Sequence, residues 1–344
     1  MALLLERAGD AFVEGRPEET LERAEEALAV APKSAAALHY KAAAQAELGW
    51  VGPAGETFER ALAEAPADPE LLRDAADYLL ANHGEDRESV ERAVELCVRG
   101  RKALGRKDEP ELRHELLVLE GMAYNQLGEC ERALKRLDEA LALWPESQDA
   151  ALERAVALFE LCRFEEAEKA FLALAEAHPD EASAHHHLGL LAERKQDARE
   201  AKRRFERARA LAPEDFPAPV EMTEKEFDEV VEAALARFPE DVKPHLDHVA
   251  LAVEDLPADE DLLGEDPPLS PCILGVFRGT PVGEQLQGNP MDQLPPAIVL
   301  YQKNLERFAK TREELIEQIG ITIMHEVGHL LGLDEEDLWQ RGLD

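Results

Sequence analysis

Positive charge is scarce in this chain. Thirty-eight lysines and arginines stand against 74 aspartates and glutamates, a formal net charge of −36 with an isoelectric point near 4.6. Such a surface repels phosphate backbones and anionic headgroups, which excludes nucleic acid and membranes as partners. It attracts basic peptides, weakly at physiological salt. Cysteine is scarce too: Cys97, Cys130, Cys162 and Cys272, with no C-x-x-C pair among them. Their spacing does not suggest a disulfide framework. Each sits in a context that reads as helix or strand core, where a free thiol acts as a small hydrophobe. A reducing compartment follows. No apolar run approaches the ~20 residues of a membrane span. The stretch ALLLERAGD after Met1 is too short in apolar residues, and too soon acidic, for a signal peptide. The expectation is a cytoplasmic protein.

What the chain has is length and repetition. Its 344 residues suit two or three domains, and 45% hydrophobic residues supply sizeable cores. Pro32 and Pro66 are 34 residues apart, as are Pro145 and Pro179, and Pro179 and Pro213. Small residues precede each proline at fixed offsets: Ala27, Ala61, Ala140 and Ala208, and further back Ala42, Gly121, Ala155 and Gly189. Between them recur the bulky Phe58, Leu137, Phe171 and Phe205, and Gly15, Gly49 and Gly128 fall at the expected turns. Each period reads as a helix hairpin. Small residues let its helices approach, bulky ones fill the gap between hairpins, and the proline restarts the chain.

This pattern resembles the tetratricopeptide repeat over residues 1–215, as six units, the third irregular around NHGEDRESV. The resemblance implies an all-α superhelix with a concave face that binds a protein or peptide. His185, His186 and His187 stand in the sixth unit. Neighbours on a helix point about 100° apart, so three in a row do not converge on one metal, and packing is expected of them.

From residue 216 to 344 the text changes. Pro213, Pro217 and Pro219 read as a linker. Thr223 and Glu226 have capping-box spacing ahead of an apolar stripe of Phe227, Val230, Val231, Leu235 and Phe238. A strand is expected from His248 to about Glu254, then a loop, with seven acids and no base from Glu254 to Asp266, then strands over 272–281 and 297–302. A long helix capped by Thr311 ends the chain, apolar on nearly every face from Ile319 to Leu331, as if enclosed against a sheet.

Within that helix stands HEVGH. His325 and His329, four apart, lie on one helical face where both imidazoles reach one ion. Glu326 is swung aside, placed to take a proton from a zinc-activated water attacking a carbonyl. Two imidazoles and a carboxylate in an apolar run are costly unless something satisfies them. A catalytic site needs a third protein ligand. Gly332 lets the chain reverse and return a carboxylate, from Asp334, Glu335, Glu336 or Asp337. A closed structural site normally takes four ligands, often cysteine, and Cys272 is the only cysteine in this part.

Residues 220–341, and above all LPPAIVLYQKNLERFAKTREELIEQIGITIMHEVGHLLGLDEEDL, resemble the minimal zincin-like metallopeptidases. That resemblance implies a small α+β domain with the active helix beneath a mixed sheet. It implies one zinc per chain on His325, His329 and Glu335, with Glu326 as the base. The family usually carries aspartate at the third position, and the longer glutamate leaves Asp334 as an alternative.

The organisation expected is therefore a tetratricopeptide-repeat domain, 1–215, that recruits a protein substrate, and a zincin-like peptidase domain, 216–344. The alternative is a repeat-based adaptor with an idle zinc domain. The strand at 297–302 is the expected docking edge for an extended peptide. Tyr301 either ends that strand or stabilises an oxyanion. His245 and His248 are assigned polar hydrogen-bonding roles rather than metal. Whether the acidic loop covers the site stays open.

Overall fold

The computed structural model describes residues 1–105, 109–238, 249–264, 266–279 and 296–334. Among them are sixteen helices and three strands, and no helix is long and apolar enough to cross a membrane. The chain forms two compact units, Met1–Leu158 and Phe159–Asp344.

The first unit is built from helix hairpins: α1 (Ala2–Val13) with α2 (Pro17–Val30), α3 (Ala35–Glu47) with α4 (Val51–Glu64), α5 (Pro69–His83) with α6 (Arg87–Leu104), and α7 (Pro110–Gln126) with α8 (Cys130–Leu143). Helix α9 (Gln148–Glu160) ends just past the division. Gly15, Gly49 and Gly128 hold the turns at φ +63°, +74° and +72°, a backbone that a side chain would strain. The third hairpin departs from the rest. Its turn passes Gly84 at φ −64°, and α6 is the longest helix of the unit.

The bulky residues of the period act in both places: Phe58 meets Tyr78 and Phe171 stacks on His187 between hairpins, as the spacing suggested, while Leu137 and Phe205 pack within a hairpin. A Cβ on Gly121 would sit 2.6 Å from Leu137, and one on Gly189 2.6 Å from Phe205. Each pair joins the two helices of one hairpin. Glu120, beside Gly121, is 1% exposed, with Arg101 Nε at 2.7 Å and Arg136 Nε at 3.0 Å.

The second unit holds α10 (Phe164–Ala177), α11 (Ala182–Arg194) and α12 (Ala198–Leu211), then α13 (Glu224–Ala236), β1 (Ala250–Glu254), α14 (Asp259–Leu262), β2 (Gly275–Arg278), β3 (Ala297–Tyr301), α15 (Gln302–Phe308) and α16 (Arg312–Leu330). The capping box forms at Thr223 and Glu226 as the spacing required. The sheet is mixed, in the order β1-β3-β2. β1 runs parallel to β3 (Ala250 opposite Ala297), and β2 runs antiparallel to it (Gly275 opposite Leu300). Strand residues alternate between faces. Ile298 and Leu300 join Phe227, Val230, Ile319, Ile323 and Val327 in one buried cluster, so α13 and α16 cover that face. Val299 and Tyr301, also buried, turn to the other face, where the acidic loop lies.

Three expectations are corrected. The strand at 297–301 is the middle of the sheet, with a neighbour on each side, so it offers no free edge. The proline-rich stretch after Pro213 is not a free linker. Val220 N–H donates to Glu306 O at 2.9 Å, Met222 N–H to Glu306 Oε1 at 3.1 Å, and Phe216 stacks on His186. Finally, α16 is not enclosed on every side, since Ile321 is 40% exposed on the face away from Leu315, Ile319 and Ile323.

Candidate metal centre

Helix α16 begins at Thr311, whose Oγ1 accepts from Glu314 N–H at 3.2 Å. The buried positions Leu315, Ile316, Ile319, Thr322, Ile323, Glu326, Val327 and Leu330 recur at helical spacing and fix the helix against the sheet. Thr322 is pressed onto β2: a Cβ on Gly275 would come within 2.7 Å of its Cγ2. One turn further on, the same face carries His325 and Glu326, so β2 runs beside the motif.

His325 and His329 are half-buried, and Glu326 is 5% exposed. The imidazole Nε2 atoms face each other at 3.1 Å, with ring centroids 4.8 Å apart and planes at 80°. His329 Nδ1 lies 3.2 Å from Leu333 O. A carbonyl only accepts, so Nδ1 carries a proton, and in the neutral ring Nε2 is then the nitrogen with the lone pair. Gly332, at φ +81°, makes this possible. Its N–H donates to His329 O at 2.9 Å and Leu333 N–H donates to Gly328 O at 3.0 Å, the two bonds of a Schellman turn. The reversal expected at Gly332 is present, and it delivers the Leu333 carbonyl to Nδ1 of His329.

These residues fit a zinc ion. Two ring nitrogens that each sit ~2.0–2.1 Å from one ion at tetrahedral angles lie a little over 3 Å apart. A ligating histidine ordinarily donates its other N–H to a carbonyl or carboxylate, as His329 does. Asp334 is exposed at the end of the turn. Glu335, Glu336 and Asp337 lie outside the described residues, as do His245 and His248. Among the described residues no group of three ligand-type side chains converges.

The other histidine run is packing. His187 stacks on Phe171 with centroids 4.7 Å apart and meets Phe159 edge-on. His186 stacks on Phe216 at 4.6 Å. His185 Nδ1 accepts from Arg204, and its Nε2 lies 3.2 Å from Pro179 O. Burial holds all three below the usual histidine range, His186 down to about 3.

Tyr301 takes no part in the site. Its hydroxyl donates to Asp261 Oδ2 at 2.8 Å, across the sheet face opposite α16. Arg278 clasps Asp261 at 2.6 Å and Glu254 at 2.7 Å. Burial works against the Asp261 charge, yet Arg278 and Tyr301 together hold its carboxyl below the usual range. The acidic loop thus folds onto the sheet's far face through α14. Spacing gave no sign of this ion cluster, nor of the Leu333 carbonyl, which is a backbone group. The glycine in ILGVF was a usable signal for close approach at Gly275.

The zincin-like metallopeptidase family model matches residues 246–343, and a tetratricopeptide-repeat model matches residues 118–182. No curated protein matches the chain. Among solved structures, pilF of Pseudomonas aeruginosa is similar at 19% identity and a TM-score of 0.50, over 66% of this chain and 96% of that one. PilW, described as a widely conserved type IV pilus biogenesis factor, is similar at 18% identity and a TM-score of 0.52, over 62% and 94%. These two likenesses bear on the fold alone. Read with the HEVGH helix and the hairpin array, the family matches identify a chain that carries a tetratricopeptide-repeat region and, at its C-terminus, a zincin-like metallopeptidase domain.

Proposed function

We propose that the chain is a zinc-dependent peptidase, with residues 1–215 recruiting a protein substrate and residues 216–344 hydrolysing it. The observation that carries the reading is the convergence of His325 Nε2 and His329 Nε2, 3.1 Å apart, on the helix that buries Glu326. His325 and His329 bind one ion. Glu335 is the third ligand, with Asp334 as its alternative. When bound, zinc supplies Lewis-acid chemistry, drawing the pKa of water toward neutrality and polarising a peptide carbonyl. Glu326 accepts the proton of the attacking water on its carboxylate and delivers it to the nitrogen of the leaving amine. His329 is kept in the ligating tautomer by its Nδ1–H bond to Leu333 O.

The docking edge for the peptide is β2. Tyr301 N–H donates to Leu274 O, so the bonded pairs continue at Val276 with Val299 and at Arg278 with Ala297. Gly275 and Phe277 then direct their N–H and C=O groups away from β3, toward a side where no described strand pairs. An extended peptide added there lies beside α16 at Thr322, one turn from His325.

The test is zinc content in the purified protein, His329→Ala, Glu335→Ala and Glu326→Gln, followed by a peptide-library assay of each. About one zinc per chain is expected, lost in His329→Ala, weakened in Glu335→Ala, and kept in Glu326→Gln, which no longer hydrolyses. No zinc uptake even when the ion is supplied, or hydrolysis undiminished in Glu326→Gln, would overturn the peptidase reading in favour of a repeat-based adaptor.

A further inference from the structure

Five hairpin turns carry a left-handed residue. Three are glycines, and all three lie in the unit Met1–Leu158. The other two are Cys162, at φ 55°, and Gln196, at φ 61°, both in the unit that contains the sheet. A left-handed backbone is strained for a residue with a Cβ. A side chain kept where the other units use glycine calls for a use, and an observed outlier is the right starting point for finding it.

At Cys162 the use is visible. Its Sγ donates to Leu269 O at 3.5 Å. Burial pushes the thiol up to about 11, so it stays protonated and remains a donor. Two residues earlier, the Glu160 carboxyl is hydrogen-bonded by the Ser270 side chain. Ser270 Oγ in turn accepts from Cys272 N–H at 3.1 Å. From the opposite side, the buried Asn304 on α15 donates to Pro271 O at 3.0 Å and to Ile273 O at 2.8 Å. Residues 269–273 are therefore gripped between a repeat turn and α15, and two residues later, at Gly275, the chain becomes β2.

We infer that Cys162 is a positioning residue for the β2 edge: its thiol, with Glu160, fixes the segment that leads into the strand and so sets where Gly275 and Phe277 present the backbone groups they direct away from β3. The kinetic consequence rests on β2 being the peptide-docking edge; the structural consequence does not. The fifth repeat then has a role besides recruitment, since it is part of the scaffold of the peptidase domain.

Cys162→Gly separates the two roles of the position. It removes the thiol and installs the residue that other units use, so the turn itself relaxes. Cys162→Ser keeps a donor. Ser270→Ala cuts the Glu160 contact from the strand side. Each is made in the full chain and followed by thermal unfolding and by amide hydrogen exchange across 269–278, where Val276 and Arg278 report on the bonds to β3. Cys162→Gly is expected to unfold no earlier than the parent, yet to exchange these amides roughly threefold to tenfold faster. Ser270→Ala moves exchange the same way, and Cys162→Ser keeps most of the protection. On any cleaved peptide, Cys162→Gly raises KM and leaves kcat unchanged. Unchanged exchange over 269–278 in Cys162→Gly would overturn the inference, and so would a loss of protection spread evenly over residues 159–344. Faster exchange with KM unchanged would overturn the link to docking. Exchange and unfolding need no hydrolysis, so failure of the peptidase reading leaves this test standing.

Discussion

The imidazole of His329 is bonded to the carbonyl of Leu333, four residues on, through a turn that only a left-handed residue at Gly332 can make. The histidine is thus oriented by the chain that follows it. Gly332→Ala would strain this turn by about 1 kcal/mol and displace the carbonyl. Zinc affinity, read by competition with a chelating dye, is expected to fall roughly tenfold or more, the usual effect of losing such an outer partner. Gly332→Asn, which tolerates the left-handed region, should restore most of it. Equal affinity in the alanine variant would separate the turn from the metal.

The histidine stacks predict acid sensitivity. His186 has a folded pKa of about 3 against ~6.5 in the unfolded chain. A depressed folded value means that below pH ~6.5 the unfolded state binds a proton which the native state refuses. The stabilisation is fully present above that pH and is lost as pH falls, by about 1.4 kcal/mol per pH unit for each such group. Between pH 6.5 and 5 the loss from His186 is about 2 kcal/mol. Urea unfolding at pH 8 and pH 5 should show the parent losing more stability than His186→Phe. The carboxylates titrate in both proteins, so the difference isolates the histidine. A parallel decline in the two would refute the assignment.

Glu120 supplies a prediction in the first unit. A carboxylate that is 1% exposed sits between Arg101 and Arg136, bridging α6, α7 and α8. Neutralising it leaves Arg101 without this counter-charge and Arg136 with only the exposed Glu139 at 2.7 Å. Glu120→Gln should lower unfolding stability by about 3–5 kcal/mol, whereas replacing all three by methionine and leucine should cost much less. Denaturant midpoints of the two variants decide the matter.

Much of this was legible in the sequence because it is periodic or local. The 34-residue spacing of Pro145, Pro179 and Pro213 marked the hairpins, and HEVGH marked the facing pair His325 and His329, because helical geometry forces residues four apart onto one face. The order of the strands was not legible as read, since pairing depends on residues far apart in the chain. A cue did exist. AIVLY is apolar without alternation, as a strand covered on both faces should be, and β3 is covered on both faces. The Pro213–Pro219 stretch misled because proline marks the absence of helix, not the absence of contacts. Phe216 and Val220 hold it by stacking and by a backbone bond, and neither has a signature in composition.

The β2 edge can be tested one backbone amide at a time. Phe277 directs its N–H away from β3, while Val276 belongs to a bonded pair with Val299. Phe277→Pro therefore removes a donor that the folded sheet does not use, and an edge strand tolerates proline there. Val276→Pro removes a ladder bond inside the sheet. The first variant should keep its zinc and its unfolding temperature within a few degrees of the parent, and raise KM for peptide substrates about tenfold, the loss of roughly one backbone hydrogen bond with its orientation. The second should destabilise the domain by about 3 kcal/mol. If both variants melted alike, the outward direction of Phe277 would be wrong. If Phe277→Pro kept an unchanged KM in a well-folded, zinc-loaded protein, the peptide would have to dock elsewhere, because no other described strand edge lies against the helix that carries His325 and Glu326.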